Sequence, residues 1–275
     1  MPNSLFGYDV IDKLGDGAKS VVYLVSDPKD KQVYALKHVV RTDEKSDRFF
    51  EQLENELNVG LQFRHPSLRR SIALKTNKSF LRKPTEAALV LEMFDGTPLD
   101  EQPRKDLAGV LDVFIRVARG LEALHYQRIV HCDFKPGNVL TNPDGRIKVI
   151  DFGQACKVGT KKERVQGTPD FVAPEQVKLR PVTERTDIWS FAAALYWALT
   201  GKRVPTLYTI AKSERNVLKE QSYPKPMELN PEVPKLLSDF VMSCLLYDPM
   251  GRPNNMRAVA ELLERVAKEL GVARA

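Results

Sequence analysis

The chain has 275 residues and a net charge of +6, from 42 Lys and Arg against 36 Asp and Glu, with 43% hydrophobic and 28% charged residues. That balance is ordinary for a globular domain and excludes a disordered, collagen-like or low-complexity chain. The length suits one large domain or two small lobes.

In chain order, Tyr8–Leu14, Val21–Ser26 and Gln32–Val39 read as strands, punctuated by Gly and by Pro-Lys-Asp. A helix is predicted from Lys45 to Gln62, because Phe50, Leu53, Leu57 and Leu61 recur at three and four and mark one face. Pro66 ends that region, and residues 71–76 and 87–92 read as two more strands. Residues 93–105 are polar and turn-rich and are predicted to be a hinge. Beyond it the pattern turns helical, with helices expected over Leu107–Tyr126, Asp187–Thr200, Pro234–Leu246 and Asn255–Leu270. The expectation is an α+β chain of two lobes. One is a small antiparallel β-sheet lobe with one long helix (about 1–92). The other is a larger, mainly helical lobe (about 99–275), joined through 92–98, with a ligand cleft where they meet.

The most apolar stretch, Ile188–Leu199, is too short for the roughly 20 residues of a membrane span. The N-terminus has no basic segment followed by a long apolar run, so no secretory signal is read. Cys132, Cys156 and Cys244 have no metal-ligand spacing, and reduced thiols in a cytoplasmic setting are the simplest expectation. The positive charge is scattered, which points to a solvated surface; no nucleic-acid partner is expected.

Three stretches carry chemistry. Gly15-Asp16-Gly17-Ala18-Lys19-Ser20-Val21-Val22 lies between two predicted strands, where glycines permit a tight turn and close approach to phosphate. A dinucleotide fold needs strand–loop–helix, so the strand–loop–strand setting argues against that fold. Lys37 ends an apolar run, Val33-Tyr34-Ala35-Leu36, on a strand facing a core. A buried ammonium requires an anion, and Glu51, Glu54 and Glu56 on the next helix are candidates. Third, His131-Cys132-Asp133-Phe134-Lys135-Pro136-Gly137-Asn138 is followed by the strand-like Ile147–Ile150 and by Asp151-Phe152-Gly153. Within six residues this loop presents a carboxylate able to accept a proton, an ammonium able to neutralise phosphoryl charge, and a carboxamide. That amide oxygen and the later carboxylate suit Mg²⁺.

These residues resemble the eukaryotic-type Ser/Thr protein kinase superfamily, over about residues 8–270, with the compact loops of its bacterial members. The resemblance implies a Ser/Thr protein kinase using ATP and Mg²⁺ or Mn²⁺, with a protein substrate. Gly15 and Gly17 match the first two loop glycines, Ser20 stands at the third, and Leu14, Asp16, Ala18 and Lys19 complete the cover over the nucleotide. Val22 and Ala35 would pack on adenine, Leu91 would gate the back of the pocket, and Glu92 to Phe94 would offer backbone groups to it. Lys37 would contact the phosphates, held by Glu56, with Glu54 as the alternative. Asp133 would be the base, Lys135 the phosphoryl-stabilising cation, and Asn138 with Asp151 the metal ligands. Thr168 matches the threonine that bonds the catalytic Asp and Lys. Asp187 is similar to the acid supporting the catalytic loop, and Arg252 to the partner of Glu175 in Ala173-Pro174-Glu175.

The sequence departs from that pattern at Cys132, which stands where the family places an arginine that holds a phosphorylated activation loop. Activity is therefore expected not to depend on such phosphorylation. Thr160 is the one candidate regulatory phosphosite and possible self-target. Lys161, Lys162 and Arg164 read as a solvated basic run, with attraction of acidic residues near the phosphoacceptor as the alternative; Cys156 reads as a quiet structural thiol, with an oxidation-sensitive thiol as the alternative; and Gly60 as a weak point in its helix. Two other readings stay open: a nucleotide-binding scaffold without transfer, and a small-molecule phosphotransferase.

Overall fold

The computed structural model describes residues 2–17, 19–43, 46–80, 83–104, 106–211 and 216–272; Ala18, Lys45 and Lys105, on which expectations above rest, lie outside them. The chain divides into two units. One is Met1–Asp95 with Asp151–Gly153, and the other is Gly96–Ile150 with Gln154–Ala275.

In the first unit the chain forms β1 (Ser4–Leu5), β2 (Tyr8–Asp16), β3 (Val21–Ser26), β4 (Val33–Val40), α1 (Asp47–Gly60), β5 (Ser71–Lys78) and β6 (Pro84–Glu92). The strands make one antiparallel sheet in the order β1-β2-β3-β4-β6-β5. β3 and β4 are rich in β-branched and aromatic residues, which fit a pleated, half-buried surface. Alternation then sorts the side chains. Ala35, Val39, Ala87, Leu89 and Leu91 face one way, where Phe50 and Leu53 of α1 pack. Val25, Leu36 and Ala88 face the other, under Leu5, Tyr8 and Tyr34. Lys37 has the parity of Ala35 and Val39, so it points to the α1 side.

The buried stripe of α1 is Phe50, Leu53, Glu56, Val59 and Gly60, whereas Leu57 is half-buried and Leu61 is 58% exposed. This corrects the expected stripe. A carboxylate occupies the middle of the face that a purely apolar reading gave to leucines. Gly60 also has a packing role that the sequence did not show: a Cβ there would sit 2.2 Å from Ser71 Oγ and 2.8 Å from Ser71 N. Glycine lets α1 lie against β5, and Ser71 Oγ donates to Glu56 O at 2.9 Å across that contact.

The second unit holds β7 (Thr97–Pro98), α2 (Leu107–Tyr126), β8 (Ile129–Val130), β9 (Val139–Thr141), β10 (Ile147–Val149), β11 (Cys156–Lys157), α3 (Pro174–Val177), α4 (Glu184–Thr200), α5 (Asn216–Glu220), α6 (Pro226–Leu229), α7 (Lys235–Cys244) and α8 (Met256–Glu269). β7 pairs with β9, so the stretch expected to be a plain hinge contains a strand of a small β10-β9-β7 sheet. α4 begins three residues before the expected Asp187. Thr183 N–H donates to Thr186 Oγ1 at 3.1 Å, and the charged Glu184 and Arg185 hide this first turn from an apolar reading. Phe114 of α2 meets Phe191 of α4 edge to face at 5.3 Å, and Phe134 stacks on Phe191 at 6.1 Å. Phe134 therefore roots the 131–138 loop in the helical core. No helix among the described residues is long and apolar enough to cross a membrane.

Candidate active site

Each unit gathers one set of the sequence-predicted residues. In the first, Lys37 Nζ lies 2.7 Å from Glu56 Oε2 and 3.0 Å from Asp151 Oδ1. The Glu56 side chain is 3% exposed, and no such contact is made by Glu54 or Glu51, both of which face solvent. Burial alone would strip the Lys37 proton, but the carboxylates of Glu56 and Asp151 outweigh it and hold the ammonium well above the ordinary lysine value. Asp151 adopts a left-handed backbone, φ 67°, and its side chain stays 41% exposed. Asn55 Nδ2 donates to the carbonyls of Phe152 and Gly153, at 3.0 and 3.1 Å, and so ties α1 to the triplet.

Lys37 pairs across the sheet with Val22 on one side and Leu89 on the other, and Ala35 pairs with Leu91. Val22 packs on the cluster that contains Ala35 and Leu91, which are 0% and 2% exposed. The loop between β2 and β3 keeps Gly15 and Asp16 in the ladder, opposite Val22 and Val21, and Gly17 N–H donates to Ser20 O at 2.7 Å. A Cβ on Gly17 would meet Ser20 Oγ at 2.5 Å. Leu14 is 46% exposed, Lys19 is exposed, and Ser20 and Phe94 are half-buried. Glu92 differs from a free backbone edge. Its N–H donates to Arg70 O, and its carbonyl already accepts Arg69 Nε at 3.1 Å.

Arg69 was not singled out in the sequence, where Arg69-Arg70 looks like surface. It is 9% exposed and within electrostatic reach of Glu56, Glu92 and Asp151; burial lowers its pKa against those three carboxylates.

In the second unit, Asp133 is 9% exposed. Thr168 Oγ1 donates to its Oδ1 at 2.9 Å, and Gln154 Nε2 to its Oδ2 at 3.2 Å. Gln154 was also unread, because a lone glutamine carries no motif signal. Asn138 Nδ2 donates to Asp133 O at 2.9 Å, which orients the carboxamide. Lys135 is half-buried just ahead of the turn at Pro136–Asn138.

Asp187, with 0% exposure, supports this loop from beneath. It accepts from His131 N at 2.7 Å and Cys132 N at 3.0 Å, and its Oδ2 lies 2.8 Å from His125 Nε2. Burial would raise the Asp187 pKa, but the hydrogen bond and charge of His125 and the His131 contacts hold it below the ordinary value. Arg252 grips Glu175 with two hydrogen bonds, 2.8 and 3.0 Å, both side chains buried. Lys162 is not simply solvated: its Nζ donates to Gln154 O at 2.8 Å.

The protein kinase domain model matches residues 8–263. Among curated relatives, serine/threonine-protein kinase PknD of Chlamydia caviae is 24% identical over 94% of this chain and 31% of its own length. A probable serine/threonine-protein kinase of Clostridium acetobutylicum is 26% identical over 94% of this chain and 40% of its own length. Serine/threonine-protein kinase max-2 of Caenorhabditis elegans is 26% identical over 98% and 41%. The chain thus spans 31–41% of the length of these relatives. It belongs to the protein kinase domain family.

Proposed function

We propose that this protein kinase domain transfers the γ-phosphoryl group of ATP to serine or threonine hydroxyls of protein substrates. The single observation that carries the reading is the Thr168–Asp133 hydrogen bond of 2.9 Å, a hydroxyl presented to a buried carboxylate just as an acceptor side chain would be. The charge pair of Lys37 with Glu56 in the other unit supports it.

Asp133 orients the acceptor hydroxyl and takes its proton as the oxygen–phosphorus bond forms. Lys135 neutralises charge on the phosphoryl oxygens in transit. Lys37, kept charged by Glu56, binds the α and β phosphates. Gly15 and Gly17 let backbone N–H groups approach the phosphates, with Leu14, Asp16, Ala18, Lys19 and Ser20 as the rest of that cover. Val22, Ala35 and Leu91 offer the apolar surface for adenine. Glu92 and Phe94 are assigned its backbone contacts. Each residue, taken in its own unit, has the chemistry for Mg²⁺ or Mn²⁺: Asp151 is a part-exposed carboxylate, and Asn138, with its amide nitrogen on Asp133 O, carries an amide oxygen of the kind a hard cation takes. Such a cation would neutralise phosphate charge.

Phosphorylation of the activation segment is not required in this reading. Cys132 is 2% exposed in an apolar cluster with Val130 and Val182, and its thiol is not a group that receives a phosphate as a guanidinium does. Thr160 is half-buried, with its N–H on Lys157 O and its carbonyl taken by Val182 N. Asp133→Asn tests the assignment. Turnover on a protein acceptor should fall by about 10²–10⁴-fold with nucleotide affinity retained; an unchanged turnover contradicts it.

A further inference from the structure

The reaction proposed above uses neither Cys132 nor Cys156, yet their sulfurs lie 3.5 Å apart. The short ladder of β8 and β11 brings them together across 24 residues of sequence: Cys156 pairs with Val130, two residues before Cys132. Cys132 is 2% exposed, and Cys156 is the more open of the two. A disulfide holds its sulfurs about 2.05 Å apart, so closing this pair needs a shift of about 1.5 Å, shared between two side chains. Cys244 is buried and pairs with neither.

We propose that Cys132 and Cys156 are a thiol–disulfide modification site, oxidised by a peroxide and reopened by a thiol reductant, whose closure slows phosphoryl transfer. The slowing rests on the role given to Asp133 above; the bond itself does not.

The environment assigns the roles within the pair. The contact with Cys132 lowers the Cys156 thiol below the ordinary value, with Lys162 and Thr160 acting the same way and burial acting against them. The same contact, together with burial, pushes Cys132 well above the ordinary value. Cys156 is therefore the attacking thiolate. Its sulfur attacks one oxygen of hydrogen peroxide, the O–O bond breaks, hydroxide leaves, and Cys156 becomes a sulfenic acid. Cys132 sulfur then attacks the Cys156 sulfur, its proton joins the departing hydroxyl, and water leaves as the S–S bond forms. Two thiols and one peroxide give one disulfide and two waters.

Cys132 immediately precedes Asp133 and has little freedom to follow its sulfur. Its N–H is held by Asp187 at 3.0 Å, its carbonyl by Gln176 Nε2 at 2.7 Å, and its φ is 66°. Pulling on this residue loads the peptide that positions the Asp133 carboxylate. Misplacement of a reacting group by about 1 Å is enough to slow a reaction strongly.

The test treats the purified chain with hydrogen peroxide, alkylates free thiols, digests without reductant, and reads the peptides by mass. The expected result is a Cys132 peptide joined to a Cys156 peptide, with Cys244 alkylated, and full reversal by dithiothreitol. In parallel, turnover falls about tenfold or more and returns with the reductant. Cys156→Ala, or Cys156→Ser as a second variant, leaves Cys132 alkylated and turnover insensitive to the same treatment. Both cysteines alkylated under peroxide that fully oxidises glutathione, or disulfides only between chains, would overturn the site. A quantitative internal disulfide with unchanged turnover would overturn the slowing. A chain that forms the disulfide but transfers no phosphoryl group when reduced speaks against the kinase assignment, not the site.

Discussion

Asp187 receives three donors on one carboxylate with no exposed surface. Asp187→Asn replaces one accepting oxygen by an NH₂ that faces a donor. Breaking such a buried charged network costs about 3–5 kcal/mol, to be measured by urea unfolding at neutral pH. The folded-state pKa of Asp187 lies below the ordinary 3.8. Its ionised form therefore stabilises the fold above that value, and the contribution is lost as pH falls through the folded-state pKa. The difference between wild type and Asp187→Asn should narrow at such low pH, and a gap that stays constant would refute the charge argument. Lys37→Met removes the ammonium from a buried Glu56, and Arg69 remains as the nearby cation. Turnover should drop by about 10²–10³-fold while cooperative unfolding is retained; an unfolded variant would show that Arg69 does not compensate. At this scale the sequence was legible wherever a residue sat inside a linear motif, as with Asp133, Asn138 and Asp151. Arg69, Gln154 and the Cys132–Cys156 pair carried no such signal. Their roles come from contacts between segments distant in the chain, and Arg69 beside Arg70 has the appearance of solvated surface.

Elements follow the same division. β3 and β4 announce themselves by their β-branched residues, β6 by its short apolar run Ala87–Leu91, and α2 by its long apolar stripe. The two-residue strands β1, β7, β8 and β11 do not, because they are defined by pairing partners rather than by their own composition. α1 shows how a buried ion pair distorts a periodic pattern: Glu56, paired with Lys37, takes the central buried position, and the apolar period drifts to Leu57 and Leu61 on its flank. The approach of α1 to β5 hangs on Gly60. Gly60→Ala places a methyl 2.7 Å from Ser71 Cβ and 2.8 Å from its backbone nitrogen, and overpacking of this kind costs about 1–3 kcal/mol. Thermal unfolding should show that loss, together with weaker nucleotide binding as Glu56 is displaced. A stabilised Gly60→Ala would mean that helix propensity outweighs the contact. In the second unit, Arg252→Lys replaces a bidentate guanidinium by a point charge facing buried Glu175. The variant should lose stability comparable to Asp187→Asn.

At the level of the whole molecule, family membership rests on a match across residues 8–263, and the order of motifs along the chain anticipated it. The +6 charge contributes little to this reading because the basic residues are scattered. Residues 156–160 are held by backbone pairing to β8 and to Val182. Thr160→Val should accordingly retain wild-type turnover, and a large gain on phosphorylating Thr160 would contradict this. The most direct test of the central claim is transfer of labelled γ-phosphate from Mg-ATP to a basic protein acceptor, followed by acid hydrolysis and identification of the labelled amino acid. The account predicts label on phosphoserine or phosphothreonine, abolished in Asp133→Asn. Tight nucleotide binding with no label on any protein, or label on a small hydroxyl compound in place of protein, would contradict it.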